Sequence, residues 1–333
     1  MSTSLYRPSW CSSFFILFLS QIRLSFFGTF TDGFILQNGP IPYWCPNYFC
    51  GSPFLSDLQS GVFYPPSLIF AALPFPWSFN LYVCLHFFLG FLFFYAFVTS
   101  LGLSTKTATL ISVSFCYGSF VMASVNTLNN LSTAIWLPAV LWAFQEARMR
   151  NNRSAHGWGI LSLTLCLLGG EPQLFLLTVV LLGVLALSLA PREQRFYWIF
   201  RIKGLVMVVV LVLAAALIAT VQLGPAFADY ALSVRTEGFT FEEAARFSLQ
   251  PSMLKHLLLP LVFPPHFETD PAFLARFFPG SLGVPWLLTL YPGAIILPLA
   301  ALSLFSRFRK RVLIWLLVFI ISIALALGEN APL

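Results

Sequence analysis

Runs of apolar residues recur along this chain until there is almost no polar surface left to build with. Of its 333 residues 58% are hydrophobic and only 9% are charged, against roughly 25% charged in a water-soluble domain. Such a chain cannot cover itself with solvated side chains, so a lipid bilayer must be its solvent. Several runs approach the roughly 20 residues that cross a hydrocarbon core as a helix. They are continuous, without the strict alternation of a transmembrane β-barrel.

The reading is therefore an all-α, polytopic transmembrane bundle forming a single domain over residues 1–333. Hydropathy places about nine spans near 10–31, 80–101, 107–125, 131–147, 157–170, 173–190, 204–226, 283–305 and 311–328. The spans 131–147 and 157–170 are short. Gln21 and Arg23 interrupt the first, where a membrane-centred arginine is costly. No small-residue cleavage site follows it, so it reads as an uncleaved span and not as a signal peptide.

Charge orients the spans. With a cytoplasmic N-terminus, Arg7, Lys106, Arg148, Arg150, Arg153, Arg192, Arg195, Arg201, Lys203, Arg307, Arg309, Lys310 and Arg311 fall on one side, 13 of the 18 basic residues. The other side receives 10 of the 12 acids, an asymmetry that the positive-inside rule assigns to topology. The net charge of +6 is thereby explained without a nucleic-acid partner. The localisation this implies is a cell (cytoplasmic) membrane crossed many times, with membrane lipid as the surrounding partner.

Two outer connections are long enough to carry function, about 32–79 and 227–282. In the first, SLIFAALPF is too short to span and is bounded by Pro65, Pro66, Pro74 and Pro76, as expected of an interfacial helix. In the second, Thr240 precedes FEEAARF with Glu243 three residues on, a capping box for a short helix. The stretch SMLKHLLLPLVFPP reads as interfacial or re-entrant. Cys11, Cys84, Cys116 and Cys166 lie in apolar runs, where cysteine acts as a small hydrophobe. Cys45 and Cys50 share the first outer loop, where a disulfide is one option in an oxidising compartment. There is no phosphate-binding G-x-x-x-x-G-K-[ST] loop, G-x-G-x-x-G, H-E-x-x-H or G-x-S-x-G element.

Polar residues of definite chemistry gather in the outer connections. Asp32 directly follows the first span, and Asp57 lies in the same loop with Trp44, Tyr48, Phe49, Gln59 and Tyr64. Either acid suits proton abstraction or cation binding, and equally an ordinary helix end or turn. The aromatics suit stacking on a sugar or a belt at the interface. Asn126, Asn129 and Asn130 end the third span, and Glu171 and Gln173 flank a Gly-Gly-x-Pro turn in LLGGEPQLF. They offer hydrogen bonds to a ligand, although glycine and proline alone would make a hairpin turn. His86 lies in a helix, where packing is the commoner role. Arg235, with Lys255 and His256 farther on, offers a phosphate fork or a headgroup anchor.

The segment GPIPYWCPNYFCGSPFLSDLQSGVFYPP, with its G-x-x-P-x-W turn, aromatic-G-x-P turn and Phe-Tyr-Pro-Pro exit, resembles the first extracytoplasmic loop of the YfhO family of bacterial membrane proteins. NLYVCLHFFLG, the Gly-Gly-x-Pro-Gln turn and the Ser-x-Arg element ending at Arg235 resemble later parts of that family. The resemblance implies a glycosyltransferase of the GT-C class, moving a sugar from a polyprenyl-phosphate carrier to a cell-envelope acceptor on the outer side. It implies Asp32 or Asp57 as base or metal ligand, a divalent cation as the possible cofactor, and Arg235 on the donor phosphate. Trp44, Gln59, Tyr64, Asn126, Asn130, Glu171 and Gln173 would line the substrate site. Only six residues separate Asp32 from Gly39, a shorter interval than the family's, and family members are longer, so the expectation is a truncated or mis-started form. The rival readings are a transporter or flippase using the same outer cavity, and a non-catalytic fragment.

The charge asymmetry makes a direct prediction. In a cysteine-free background, Ser154→Cys and Ser56→Cys should react with an impermeant maleimide from opposite sides of the membrane; labelling from one side would overturn the topology.

Overall fold

A computed structural model describes residues 43–45, 51–188, 197–233, 236, 238–245, 248–259, 290–294, 296–306 and 309–331. Helices dominate it. The described strands are β1 (Trp44–Cys45) and β2 (Ser52–Pro53), an antiparallel pair two residues long with Trp44 opposite Pro53.

Helix α1 (Leu68–Ala72) is the short helix anticipated after Pro66, and it stops at Leu73. Helix α2 (Trp77–Ser100) begins after Pro74 and Pro76 and runs for 24 residues. Next come α3 (Thr105–Cys116), α4 (Ser119–Ala123), α5 (Leu128–Ala134), α6 (Trp136–Met149), α7 (Ser154–Leu168) and α8 (Pro172–Ser188). They are followed by α9 (Tyr197–Ile218), α10 (Thr220–Tyr230), α11 (Phe241–Ala245), α12 (Ile296–Ser303) and α13 (Arg309–Leu327).

Among the described residues, four helical runs are long and apolar enough to cross a membrane: Trp77–Ser100, Thr105–Asn126, Trp198–Ile218 and Val312–Asn330. Hydropathy alone leads one to expect about nine, and the difference has physical reasons. The span expected over 131–147 is two helices meeting at Ile135. The one expected over 204–226 is present as Trp198–Ile218, shifted towards the N-terminus because the run divides at Ala219 between α9 and α10. Helix α7 is 15 residues long, fewer than the roughly 20 that span a bilayer, and α8 is 17 residues long over the described residues. The first expected span lies outside the described residues, and of 283–305 the described helix is Ile296–Ser303. Hydropathy registers an apolar run, but it does not register where the backbone turns within one. Thr105–Asn126 shows why: it breaks at Tyr117–Gly118, where a Cβ on Gly118 would stand 3.0 Å from the Ser114 carbonyl oxygen.

The core lies where α6 and α7 pack together with α2 and α9 against them. Leu131, Ile135, Ala139, Val140 and Phe144 meet Leu163, Cys166, Leu182, Leu211 and Ala215 there. Gly90 of α2 leaves the room that Ile135 fills, the small-residue contact that membrane helices use to approach closely. Outside this core, α9 and α13 keep long apolar faces exposed, as lipid-facing helices do.

A chain of hydrogen bonds plugs the first loop into this bundle. Trp136 Nε1 donates to the Tyr64 hydroxyl at 2.8 Å. That hydroxyl and His86 Nε2 are also 2.8 Å apart, and His86 Nδ1 lies 2.7 Å from the Tyr82 carbonyl oxygen. Because a carbonyl only accepts, the proton sits on Nδ1, leaving Nε2 to accept from Tyr64. Every member is thus satisfied, and Tyr64 and His86 are 1% and 0% exposed. His86 is a packing residue, the commoner of its two roles. Burial holds the Tyr64 phenol well above its ordinary range, so it remains a donor.

Tyr64→Phe keeps the ring and removes the hydroxyl, leaving Trp136 Nε1 and His86 Nε2 buried without it. At about 1–3 kcal/mol for each of the two orphaned groups, unfolding in detergent should shift down by about 2–6 kcal/mol. A shift near zero would mean that the chain does not anchor the loop.

Candidate functional site

Three segments distant in sequence meet at one end of the bundle: the first loop, α5, and the turn between α7 and α8. The loop arrives preshaped. Asp57 Oδ1 accepts from Gln59 N at 2.9 Å and caps the 3-10 turn Leu58–Ser60, which ends at Gly61. From α10, Gln222 Nε2 reaches across to the carbonyl oxygens of Leu55 at 2.9 Å and Asp57 at 3.1 Å. The Gln222 side chain is buried, so these bonds hold the loop from beneath.

Glycine makes the closeness of the second turn possible. A Cβ on Gly169 would stand 2.9 Å from Thr133 N, and Gly170, at φ +96°, lies under the carbonyls of Leu58 and Gln59. Ser132 Oγ donates to the Gly169 carbonyl at 2.9 Å, and Glu171 N donates to Thr133 Oγ1 at 3.1 Å. Pro172 then opens α8 where its missing N–H has no helical partner to lose.

Glu171 is where these segments converge. Its Oε2 accepts from Asn129 Nδ2 at 3.1 Å and from Gln59 Nε2 at 3.4 Å. The backbone N–H of Gln173 donates to the same carboxylate, so Glu171 also caps α8. Burial raises its pKa above the ordinary carboxylate range, and the bonds from Gln173 and Gln59 oppose that rise without cancelling it. All of its donors are neutral amides. The group is therefore a half-buried carboxylate without a charged partner among the described residues, and it holds a proton more tightly than an ordinary glutamate.

The expected site residues divide accordingly. Gln59, Glu171 and, through its backbone, Gln173 come together. Asp57 is exposed, with its carboxylate engaged in the cap, so the structure gives it a turn role. Tyr64 does not present a ring for stacking on a sugar, because it is buried in the core; this corrects the expectation drawn from the loop. Trp44 is 57% exposed, with its indole against Gly51. Asn126 and Asn130 are half-buried near the start of α5, but the asparagine that reaches Glu171 is Asn129. Lys255 and His256 lie on the 3-10 turn Pro251–Leu257. Asp32, Tyr48, Phe49, Cys50 and Arg235 lie outside the described residues. Among the described residues no three His, Cys, Asp or Glu side chains gather as metal ligands.

Asn129, one of the three asparagines considered, completes the site with Thr133 and Gln222, which sequence reading did not single out. Asn129 and Thr133 had a legible signal, since polar residues four apart share one helix face. Gln222 had none, for its partners are backbone carbonyls 165 and 167 residues away.

No family model, curated protein or solved structure matches the chain.

Proposed function

We propose that this protein is a membrane glycosyltransferase of GT-C type, moving a sugar from a polyprenyl-phosphate carrier to a cell-envelope acceptor on the extracytoplasmic side of a bacterial cytoplasmic membrane. The resemblance of the first loop motivates the reading. The observation that carries it is Glu171, a half-buried carboxylate flanked by Gln59 and Asn129 at the end of the bundle where the first loop docks. Transfer to a hydroxyl needs a group that accepts the acceptor's proton, and amides beside it suit recognition of sugar hydroxyls. Glu171 takes the base role in this scheme, because it is half-buried between the amides of Gln59 and Asn129 whereas Asp57 is exposed. Arg235 keeps the proposed role of holding the donor phosphate, and Asp32 that of base or cation ligand. A divalent cation, if used, would neutralise that phosphate.

One observation favours the transporter or flippase reading. The long apolar run Thr105–Asn126 is discontinuous at Gly118, and broken helices are common in transport proteins. Transfer of sugar and movement of substrate are separable by assay.

With the full chain in membranes and a labelled polyprenyl-phosphate sugar, Glu171→Gln should lower transfer about 100- to 10,000-fold, the usual cost of removing a positioned base. Asp57→Asn should leave transfer within a few fold. Normal transfer by Glu171→Gln removes Glu171 from the chemistry, whereas substrate crossing vesicles without transfer establishes the transporter.

The raised pKa sets two signs. As a base Glu171 works deprotonated, so transfer should rise with pH through a value above the ordinary carboxylate range, and Glu171→Gln should abolish that limb. For stability the folded state binds the proton more tightly than the unfolded chain, so this group's contribution is present below the unfolded pKa and is lost as pH rises through the folded pKa. Glu171→Gln should therefore unfold no more easily than the parent at neutral pH. A marked loss of stability there would identify Glu171 as a cap alone.

A further inference from the structure

The opposite end of the bundle holds a second polar site. The last turn of α2 and the second half of α6 enclose a crevice of about 260 Å³, lined by Ala96, Thr99, Ser100, Trp142, Glu146 and Arg150. Glu146 is buried, and both of its oxygens face one nitrogen, Arg150 Nη1, at 3.0 and 3.3 Å. The Arg150 side chain is 61% exposed. Its Nε and Nη2 N–H groups form the other edge of the guanidinium and have no partner among the described residues. That edge is the one that meets an oxyanion with two parallel hydrogen bonds.

Behind the arginine the two hydroxyls and the carboxylate of the crevice accept and do not donate. The Thr99 hydroxyl gives its proton to the carbonyls of Tyr95 or Ala96, and Ser100 gives its own to Phe97. Their lone pairs stay available, as do the Glu146 lone pairs not used by Nη1. The site thus offers a fork for an oxyanion at its mouth and a carboxylate with two hydroxyl oxygens for a hydrogen-bearing cation within. α2 is an apolar helix long enough to cross the bilayer, so its last turn stands at headgroup depth. Lys106 and Arg153, on adjoining helix ends, add positive charge at this end of the bundle and attract a phosphate.

We propose that this crevice binds the headgroup of a phospholipid with a primary ammonium, of the phosphatidylethanolamine class, the phosphate on Arg150 and the ammonium on Glu146, Thr99 and Ser100. One short linker separates the two charges of that headgroup, as one side-chain contact separates the two charges of the site. A choline headgroup has no N–H to give to these acceptors, and a glycerol headgroup has no positive charge for Glu146. The proposal is independent of the transfer chemistry, whose described residues Gln59, Asn129 and Glu171 lie at the other end.

The test is lipid binding to the purified full chain in detergent, followed by native mass spectrometry and by thermal shift, with phosphatidylethanolamine, phosphatidylcholine and phosphatidylglycerol of identical acyl chains. Phosphatidylethanolamine should bind at least about tenfold more tightly than either of the others, the scale of one charge-assisted hydrogen bond. Glu146→Gln should erase the preference over phosphatidylcholine, and Arg150→Ala should weaken all three. Equal binding of ethanolamine and choline lipids by the unmodified protein overturns the proposal, and so does tighter binding of phosphatidylglycerol, which would mark an anionic-lipid patch instead. The comparison of lipids needs no variant to fold.

Discussion

In lipid, an unpaired backbone N–H or carbonyl has no water to turn to, so a chain this apolar must close its hydrogen bonds within helices. Everything polar in the structure is arranged around that constraint. Where a helical run breaks, at Gly118, Ile135 and Ala219, the interruption lasts only a residue or two, and the next helix resumes at once. Where the chain leaves helical geometry for longer, in the first loop, side chains take over. Gln222 supplies donors to the loop's carbonyls, and the Trp136–Tyr64–His86 chain supplies its anchor. The stretch of the loop from Leu55 to Tyr64 is consequently tied into the packed bundle.

That anchoring gives Glu171 its environment. The carboxylate sits where Gly169 and Gly170 let the α7–α8 turn press against α5 and the loop, so water is partly displaced from it. Its partners are amides, which orient a carboxylate without stabilising its charge as an arginine or lysine would. The capping role and the proposed proton-accepting role depend on the same geometry. A rigid cap on α8 is also a carboxylate held at a fixed position above the bundle.

The two ends of the bundle have opposite electrostatic character. Asp57 and Glu171 lie at the loop end, while Lys106, Arg148, Arg150 and Arg153 lie at the other. Arg148 stacks over the Phe200 ring, 3.7 Å from its centroid, pinning the start of α9 to the end of α6 at that basic end. Glu146 is the acid among these bases, and its position behind Arg150 turns a surface charge into a directed fork.

The helical, membrane-embedded character of the chain is legible in its composition, because apolar side chains report their solvent wherever they are placed. The capping box at Thr240 is legible too: Glu243 Oε2 accepts from Thr240 N at 2.8 Å and Thr240 Oγ1 accepts from Glu243 N at 3.3 Å, a local exchange that needs nothing distant. The Thr240 N–H, together with the Thr240 hydroxyl that donates to the same Oε2 at 3.0 Å, holds the Glu243 carboxyl below its ordinary value. The division of apolar runs into separate helices is not legible, because hydropathy is a sum over residues and a break is a backbone event. Nor can sequence choose among Asn126, Asn129 and Asn130, or distinguish the engaged Asp57 from the half-buried Glu171, since partners 42 and 112 residues away decide that. Composition and local pattern determined which solvent this chain requires and which short turns it makes. Tertiary packing alone decided which polar groups meet, because their meeting depends on helix faces brought together across the whole bundle.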